Sequence, residues 1–289
     1  MSTQAQKLRQ LLSMDKCHVM PCCFDGLSAK MVEQAGFSLT FMSGFAVSAA
    51  RLGLPDTGLI SYGEMVDQGQ HICSSVSIPV MGDGDTGYGN AMNVRRTVDG
   101  YARAGFAAVM IEDQVSPKRC GHTRGKLIVS RDEAYERIKA AADARKEGLD
   151  ILIIGRTDAR TDHGLEEAME RARSFSELGA DILFVEAPES VEEMQTICRE
   201  VPGVHMANLI DGGKTPVLSP SELHTIGFKL AAYPLVLVSA AMQAMAGALK
   251  ELQAGKSPQG LMSFKEVRQV IGFDDYYDVE KKYGTSYRQ

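Results

Sequence analysis

Short apolar segments recur along the chain, and each is followed by a longer segment in which apolar residues return at helical spacing. Short apolar runs bounded by turn residues are typical of buried parallel strands, whereas i, i+3, i+4 spacing predicts amphipathic helices. The helical segments include AMNVRRTVDGYARAG, RDEAYERIKAAADARKEG and GLEEAMERARSFSELGA. The predicted strands are 17–21, 39–43, 78–82, 107–111, 151–155, 181–185, 204–208 and 228–233.

Eight strand candidates that alternate with helices favour a (β/α)8 barrel of the TIM type over a doubly wound sheet. No linker, low-complexity tract or charge block interrupts the alternation, so residues 1–289 are expected to form a single barrel domain. The segment after the eighth unit, about residues 256–289, is predicted to be a helical extension that packs on a neighbouring element or subunit.

Composition narrows the classes of partner and the cellular compartment. The formal net charge of −6 argues against a broad surface for nucleic acid or for an anionic membrane. The N-terminal segment lacks a long apolar core and no apolar run reaches membrane-spanning length, so neither secretion nor a membrane partner is expected. The six cysteines show no repeated CxxC spacing, and reduced thiols in the cytoplasm are the expectation.

Polar side chains follow most of the predicted strands, at the point where each strand ends. In a parallel barrel these positions meet at the C-terminal mouth, where active sites of this architecture are built. Each position alone is more typical of a turn or helix cap, but their recurrence predicts a site. They are Ser43-Gly44, Asp83, Asp85, Glu112-Asp113, Arg156-Thr157-Asp158, Glu186 and Asn208.

Carboxylates dominate one part of this predicted mouth. Asp83 and Asp85 in MGDGDTGYGN are two residues apart, so at strand spacing they would face the same side. Glu112 and Asp56 are further candidates. An all-oxygen set favours a hard cation, Mg²⁺ first and Mn²⁺ as the alternative, while a glycine-rich turn with Asp caps explains the same letters without a metal. The segment lacks the GK[ST] of a phosphate-binding loop.

A cysteine lies among cations in EDQVSPKRCGHTRGK, residues 112–126. Lys118 and Arg119 precede Cys120, and His122 and Arg124 follow it; nearby cations lower a thiol pKa and raise its reactivity. An inert buried thiol suits this polar setting poorly. A zinc site through Cys120 and His122 lacks partners at ligand spacing.

In order, the segments SGFAVSA, LGLPDTGLIS, GDGDTGYGN, IEDQ, PKRCGH, GRTDA, VEAP and NLIDGGKTP resemble the isocitrate lyase/phosphoenolpyruvate mutase superfamily. The resemblance is greatest to the branch that contains 2,3-dimethylmalate lyase, the petal death protein and methylisocitrate lyase. It implies a (β/α)8 barrel whose C-terminal helix is swapped between the subunits of a dimer, with two dimers forming a homotetramer.

The resemblance also implies roles for individual residues. Asp83 would bind Mg²⁺ directly, with Asp56, Asp85 and Glu112 holding it through water, and Glu112 is expected among the catalytic groups as well. Cys120 would be the catalytic acid, and Arg156 would pair with a carboxylate and the reacting oxygen. His122 is expected among the catalytic groups and would touch the substrate. The other implied substrate-contacting residues are Ser43, Gly44, Phe45, Gly121, Glu186, Asn208 and Thr215.

The implied reaction is carbon–carbon cleavage of a hydroxy di- or tricarboxylate. Loss of the hydroxyl proton would break C2–C3 and release an α-keto acid, and Cys120 would protonate the carbanion. Phe41 stands where some members have a Tyr, and Phe45 follows the SG pair where methylisocitrate lyases have a small residue. A ring at Phe45 favours a 2-alkylmalate or 2,3-dimethylmalate over a substrate with a third carboxylate.

Several alternatives remain at this point. A methylisocitrate lyase or an oxaloacetate hydrolase would use the same residues. A phosphoenolpyruvate mutase or phosphonopyruvate hydrolase would share Ser43, Asp83 and Arg156, but the KRCGH motif favours C–C cleavage over these two. A carboxyphosphonoenolpyruvate mutase is less easily excluded, because its loop resembles this one. A catalytically silent barrel that only binds a partner is disfavoured by the intact acids, Cys120 and Arg156.

Overall fold

The protein, described here by a computed structural model that covers residues 3–121 and 125–283, contains a closed eight-stranded barrel. Each strand pairs in parallel with the next, and the eighth pairs with the first. The strands are β1 (His18–Cys23), β2 (Thr40–Met42), β3 (Val80–Asp83), β4 (Ala108–Glu112), β5 (Leu152–Thr157), β6 (Ile182–Val185), β7 (His205–Asn208) and β8 (Phe228–Tyr233).

All eight predicted strands are present, and their bounds differ from the predicted ones by at most two residues at either end. The agreement has a physical reason: strands of a parallel sheet are covered on both faces, so they are almost continuously apolar. In strand β4, side chains on both faces of the sheet are covered by apolar neighbours. Ala108 and Met110 belong to the packed interior of the barrel, whereas Val109 and Ile111 pack in the layer between the sheet and the helices.

Helices follow the strands in the (β/α) order, and most begin at a side chain that caps the first turn. Ser61, for example, accepts a hydrogen bond from the Glu64 backbone, and the Glu64 side chain accepts one from the Ser61 backbone. The helices are α1 (Gln4–Leu12), α2 (Gly26–Gln34), α3 (Gly44–Val47), α4 (Tyr62–Ser75), α5 (Ala91–Ala104), α6 (Arg131–Lys146), α7 (Arg160–His163), α8 (Leu165–Leu178), α9 (Val191–Glu200), α10 (Pro220–Ile226), α11 (Val236–Gln253), α12 (Phe264–Ile271) and α13 (Phe273–Lys281).

The chain divides into two compact units, Met1–Val238 and Ser239–Gln289. The first holds the barrel, and the second contains most of α11 together with α12 and α13. The expectation of one barrel domain with an extension from about residue 256 stays a prediction. Among the helices of the described residues, none combines the length and apolarity needed to cross a membrane.

One close contact fixes how α4 lies on the sheet. Gly69 is buried on α4, and a Cβ atom placed there would come within 2.3 Å of the Phe106 ring. Phe106 in turn stacks on Tyr101, with ring centroids 4.7 Å apart. The missing side chain of Gly69 therefore lets an aromatic ring approach the helix backbone, in a core that has little room to adjust.

We predict that Gly69→Ala lowers the free energy of unfolding by about 1–3 kcal/mol because the added methyl group overpacks the Phe106 contact. The matched control is Gly63→Ala on the same helix, where the nearest atom lies 4.0 Å away. There the change should stabilise by up to about 1 kcal/mol, since alanine favours the helix. Urea unfolding measures both, and equal midpoints for the two variants would contradict the packing argument.

Candidate functional site

The C-terminal ends of the strands surround a cavity of about 60 Å³, which contains most of the polar residues that the sequence singled out. Asp83 ends β3, Arg156 is near the end of β5, Asn208 ends β7, and Ser43 and Glu186 directly follow β2 and β6. The polar residues that line it are Ser43, Asp56, Asp83, Lys118, Arg119, Cys120, Arg156, Glu186 and Asn208. Its apolar wall includes Cys22, Phe41, Phe45, Met110, Phe184, Met206, Ile210, Ala232, Pro234 and Leu235.

A buried lysine joins two of the acids. The Lys118 ammonium lies 2.7 Å from Asp56 Oδ1 and 2.9 Å from Asp85 Oδ1, and all three side chains are at most 5% exposed. Lys118 also donates a hydrogen bond of 2.8 Å to Asp56 Oδ2. Burial opposes its charge, but Asp85, Asp83 and Asp56 together hold its pKa well above the usual range. Lys118 thus supplies positive charge to the carboxylate cluster, a role that its position two residues before Cys120 did not indicate.

Asp83 and Asp85 share this cluster, but the strand-spacing argument for them was wrong. Strand β3 ends at Asp83, and Asp85 has a left-handed backbone with φ of 48°. The Asp85 backbone N–H donates to Asp83 Oδ1 at 3.0 Å, so a tight turn brings the two carboxylates together. Burial, opposed by Lys118, raises the pKa of Asp85 to about 7.

The cluster fits a hard cation that keeps water among its ligands. Asp56 Oδ1, Asp85 Oδ1 and Glu112 Oε1 are buried and accept no hydrogen bond within the described residues, although the first two lie close to Lys118. In the same part of the chain, no three acidic, His or Cys side chains are placed so that they could hold a metal ion together. Mg²⁺ is the ion that such an oxygen-rich, incomplete set suits best, because it retains several waters in proteins.

Arg156 is the second buried cation of the cavity. Its Nε and Nη2 donate to the two carboxylate oxygens of Asp158, Nη2 lies 3.0 Å from Glu186, and Nε lies 3.3 Å from Glu112. Burial opposes its charge, yet these carboxylates hold its pKa well above the usual range. Burial likewise raises the pKa of Glu112, with Arg156 acting in the opposite direction. Asn208 Nδ2 donates to Glu186 at 3.3 Å.

The segment with Cys120 covers this site. The Gln114 side chain forms two hydrogen bonds with the Arg119 backbone, 2.8 and 2.9 Å long, and so fixes the residue before Cys120. Cys120 lines both the inner cavity and an outer cleft of about 500 Å³. A Cβ atom on Gly121 would lie 2.5 Å from Arg156 Nη2, so glycine allows the backbone to approach the guanidinium.

Not every expected site residue lines the cavity: Asp85 and Glu112 belong to the acid cluster but are not among the described residues that line it. Gly44 adjoins the site through its backbone, and a Cβ atom there would lie 2.5 Å from Asp83 Oδ2. Thr215 is buried but is not among the described residues that line the cavity, and its hydroxyl has no hydrogen-bond partner within the described chain. His122 lies outside the described residues.

Residues 8–253 match the family model described as phosphoenolpyruvate phosphomutase. The chain belongs to this family, and with it to the isocitrate lyase/phosphoenolpyruvate mutase superfamily. The chain is 42% identical to 2,3-dimethylmalate lyase of Eubacterium barkeri over 97% of its own length and 98% of that protein. These relationships make it an enzyme of the superfamily's carbon–carbon lyases.

Two solved structures of superfamily members have the same fold. Oxaloacetate acetylhydrolase in complex with the inhibitor 3,3-difluorooxalacetate is 33% identical, with a TM-score of 0.95 over 99% of this chain and 98% of that one. Phosphonopyruvate hydrolase in complex with oxalate and Mg²⁺ is 28% identical, with a TM-score of 0.86 over 98% and 99% of the two chains. The barrel predicted from the strands of this chain is thus the fold that these superfamily members also have.

We predict that Lys118→Met lowers the free energy of unfolding by about 3–5 kcal/mol, because Asp56 and Asp85 lose their buried counter-charge. Millimolar Mg²⁺ should restore much of the thermal midpoint and should shift it more in this variant than in the natural protein. Lys146→Met, at an exposed pair with Asp143, is the control and should change little. The same Mg²⁺ shift in all three proteins would count against a cation site at these carboxylates.

Proposed function

We propose that the enzyme cleaves the C2–C3 bond of a substituted malate, of the 2-alkylmalate or 2,3-dimethylmalate type, to an α-keto acid such as pyruvate and a carboxylate. One observation carries the proposal: Cys120, Arg156, Ser43 and Asp83 line the same cavity. A thiol acid, a fixed guanidinium and an oxygen-rich cation site are the groups that such a cleavage requires. The 42% identity to 2,3-dimethylmalate lyase supports the same substrate class.

The proposed cofactor is Mg²⁺, with Mn²⁺ as the alternative. Asp83 would be its direct protein ligand, and Asp56, Asp85 and Glu112 would hold it through water. When bound, the ion would act as a Lewis acid towards the substrate's hydroxyl and adjacent carboxylate.

Lys118 occupies the space between Asp56 and Asp85, and the cavity of about 60 Å³ is smaller than the substrate pockets of enzymes. Substrate entry therefore requires Lys118 and the segment around Cys120 to move.

The chain's own groups can perform the proton transfers and stabilise charge. The substrate hydroxyl would give its proton to a carboxylate, proposed to be Glu112, as C2 becomes the keto carbon and the C2–C3 bond breaks with its electron pair left on C3. The Cys120 thiol gives its proton to C3 and later regains one, acting as a general acid. Arg156, held among three carboxylates, presents fixed positive charge to the developing oxyanion and therefore needs no reorganisation during the reaction.

The apolar wall supports an alkyl-substituted substrate. Phe45 is half-buried and lines both the cavity and the outer cleft, and Ile210, Pro234 and Leu235 extend the apolar lining. An alkyl group on such a wall gains from leaving water, whereas a third carboxylate would lose its solvation there. Ser43 and Gly44 would bind the α-oxyacid end, while Glu186, Asn208, Gly121, His122 and Thr215 would complete the polar contacts.

The enzyme is further proposed to be a homotetramer of two helix-swapped dimers. The second unit, Ser239–Gln289, carries many large apolar side chains that are more than one-third exposed, and such patches typically mark association surfaces. They include Met242, Met245, Leu249, Leu252, Phe264, Ile271, Tyr276 and Tyr283.

The function is tested by incubating the purified enzyme and Mg²⁺ with 2,3-dimethylmalate, 2-alkylmalates, methylisocitrate, oxaloacetate and phosphonopyruvate, and by measuring the keto acid or oxalate released. We expect pyruvate from 2,3-dimethylmalate, and a Cys120→Ala variant without turnover that still binds Mg²⁺. Cys198→Ala removes a half-buried thiol outside the cavity and should keep full activity. Product only from phosphonopyruvate or only from oxaloacetate would overturn the proposed substrate class.

The assembly is tested by light scattering coupled to size-exclusion chromatography. The natural chain should run at about four times its mass of 31.4 kDa. Combined Leu249→Asp and Phe264→Asp substitutions should lower that mass, because they place charge in the apolar surface. Met92→Asp, at an exposed residue of α5 in the first unit, is the control. A natural protein that elutes at the mass of one chain would contradict the tetramer.

A further inference from the structure

Asp158 lies behind Arg156 and is not needed for the cation site or for the proton transfer. It directly follows β5, and its carboxylate accepts hydrogen bonds of 2.8 Å from Arg156 Nε and 3.1 Å from Nη2. The Lys126 ammonium donates to the same carboxylate at 2.8 Å. The Asp158 side chain is fully buried and that of Lys126 is 1% exposed. A buried Asp between two cations, one of which lines the cavity, requires an explanation.

The bidentate bond selects one orientation of the guanidinium among competing ones. Glu112 lies 3.3 Å from the same Nε that Asp158 binds, and Glu186 lies 3.0 Å from Nη2. Without Asp158, the Arg156 side chain could turn its Nε edge towards Glu112 or Glu186. A fork-to-fork contact fixes the plane as well as the position of a guanidinium, which a single hydrogen bond does not. Asp158 therefore determines which edge of Arg156 remains available in the cavity.

Asp158 is itself held by a second carboxylate outside the cavity. Its backbone N–H donates to Asp113 Oδ1 at 2.9 Å, and Asp113 Oδ2 accepts hydrogen bonds from Thr157 Oγ1 at 2.7 Å and Arg171 Nη1 at 3.0 Å. Burial works against ionised Asp158, but Arg156 and Lys126 hold its pKa below the usual range. Asp158 is thus a fixed, charged anchor.

Lys126 connects this anchor to the segment that carries Cys120. Gln114 and Ile128 form an isolated bridge, and Val115 N–H donates to the Leu127 carbonyl at 2.7 Å, so the described residues 115–121 and 125–127 extend from a two-stranded base and are called the lid. Lys126 lies next to this base and directs its ammonium inward to Asp158. The ion pair that orients Arg156 therefore includes a residue of the lid.

We propose that Asp158 is a positioning residue for Arg156, and that Lys126 makes this positioning depend on the seated lid. The inference deepens the proposed function and rests on it, because it assumes that Arg156 contacts the carboxylate and reacting oxygen of the substrate. It predicts that the guanidinium takes its working orientation only when the lid is in place. The lid would then complete the charge arrangement at the same time as it brings Cys120 to the cavity.

The test compares Asp158→Asn with the natural enzyme. Asparagine keeps the shape but cannot accept both bonds from Arg156, and a displaced catalytic group of this kind costs on the order of 100-fold in kcat/KM. The affinity for oxalate, measured by calorimetry at saturating Mg²⁺, should fall by at least about tenfold, since oxalate offers carboxylates to Arg156. Mg²⁺ affinity without oxalate should fall much less than oxalate affinity, since none of the bonds made by Asp158 involves Asp56, Asp83, Asp85 or Glu112 directly.

A double-mutant cycle separates positioning from a general structural role. Arg156→Lys cannot form the fork, so Asp158→Asn should cost little in that background if Asp158 acts through Arg156. Additive losses in oxalate affinity would overturn the inference. Lys126→Met should lower kcat/KM about tenfold, and Lys126→Arg should largely restore it. These two variants still test the inference if Asp158→Asn does not fold. Unchanged kcat/KM and oxalate affinity in Lys126→Met would overturn the role of the lid.

Asp181→Asn is the matched control. Asp181 precedes β6 at the opposite end of the barrel and pairs with Arg145, so its loss should lower the thermal midpoint and leave oxalate affinity unchanged. Failure of the proposed function can be told apart from failure of this inference. If the enzyme cleaves no malate but Asp158→Asn still lowers oxalate affinity, the proposed substrate class is wrong and the positioning role of Asp158 stands. Full oxalate affinity and turnover in Asp158→Asn would refute the positioning alone.

Discussion

The mouth of the barrel depends on balancing carboxylates that are buried close together. Among the residues that the structure describes, seven acids and five Lys or Arg residues are buried, and five of the twelve line this one cavity. Charges out of water are costly unless they are paired, and removing one partner leaves the other uncompensated. The seven acids are Asp56, Asp83, Asp85, Glu112, Asp113, Asp158 and Glu186. Their excess of negative charge favours a cation at this end of the barrel.

Two of the compensating charges come from the segment that covers the cavity. Lys118 reaches Asp56 and Asp85 from one side of Cys120, and Lys126 reaches Asp158 from the other. When this segment covers the cavity, its two lysines therefore also neutralise the buried acids. A covering segment held by ion pairs can also be released by competing ions, because a substrate carboxylate or a metal cation offers each group another partner.

The sequence was sufficient for the barrel and for the polar residues at the ends of its strands, because both follow from local pattern. Buried parallel strands are apolar runs, and parallel topology brings their C-terminal ends together, so Ser43, Asp83 and Arg156 could be grouped without coordinates. Pairings between distant residues could not be predicted. Lys118 binds an acid 62 positions away, whereas its sequence neighbour Cys120 had suggested that it tunes the thiol. The turn geometry at Asp85 was likewise invisible in strand spacing.

The buried Lys118 has a consequence for how the protein matures. Small metal-dependent domains often remain unfolded until the ion arrives, because only the ion can hold their ligands together. Here a side chain of the polypeptide already lies between Asp56 and Asp85. Lys118 thus supplies a positive charge between these carboxylates, so the newly made chain can fold its barrel before it encounters any metal. If Mg²⁺ binds as proposed, it exchanges with a cation already present in a finished fold, and protein without metal stays folded but inactive.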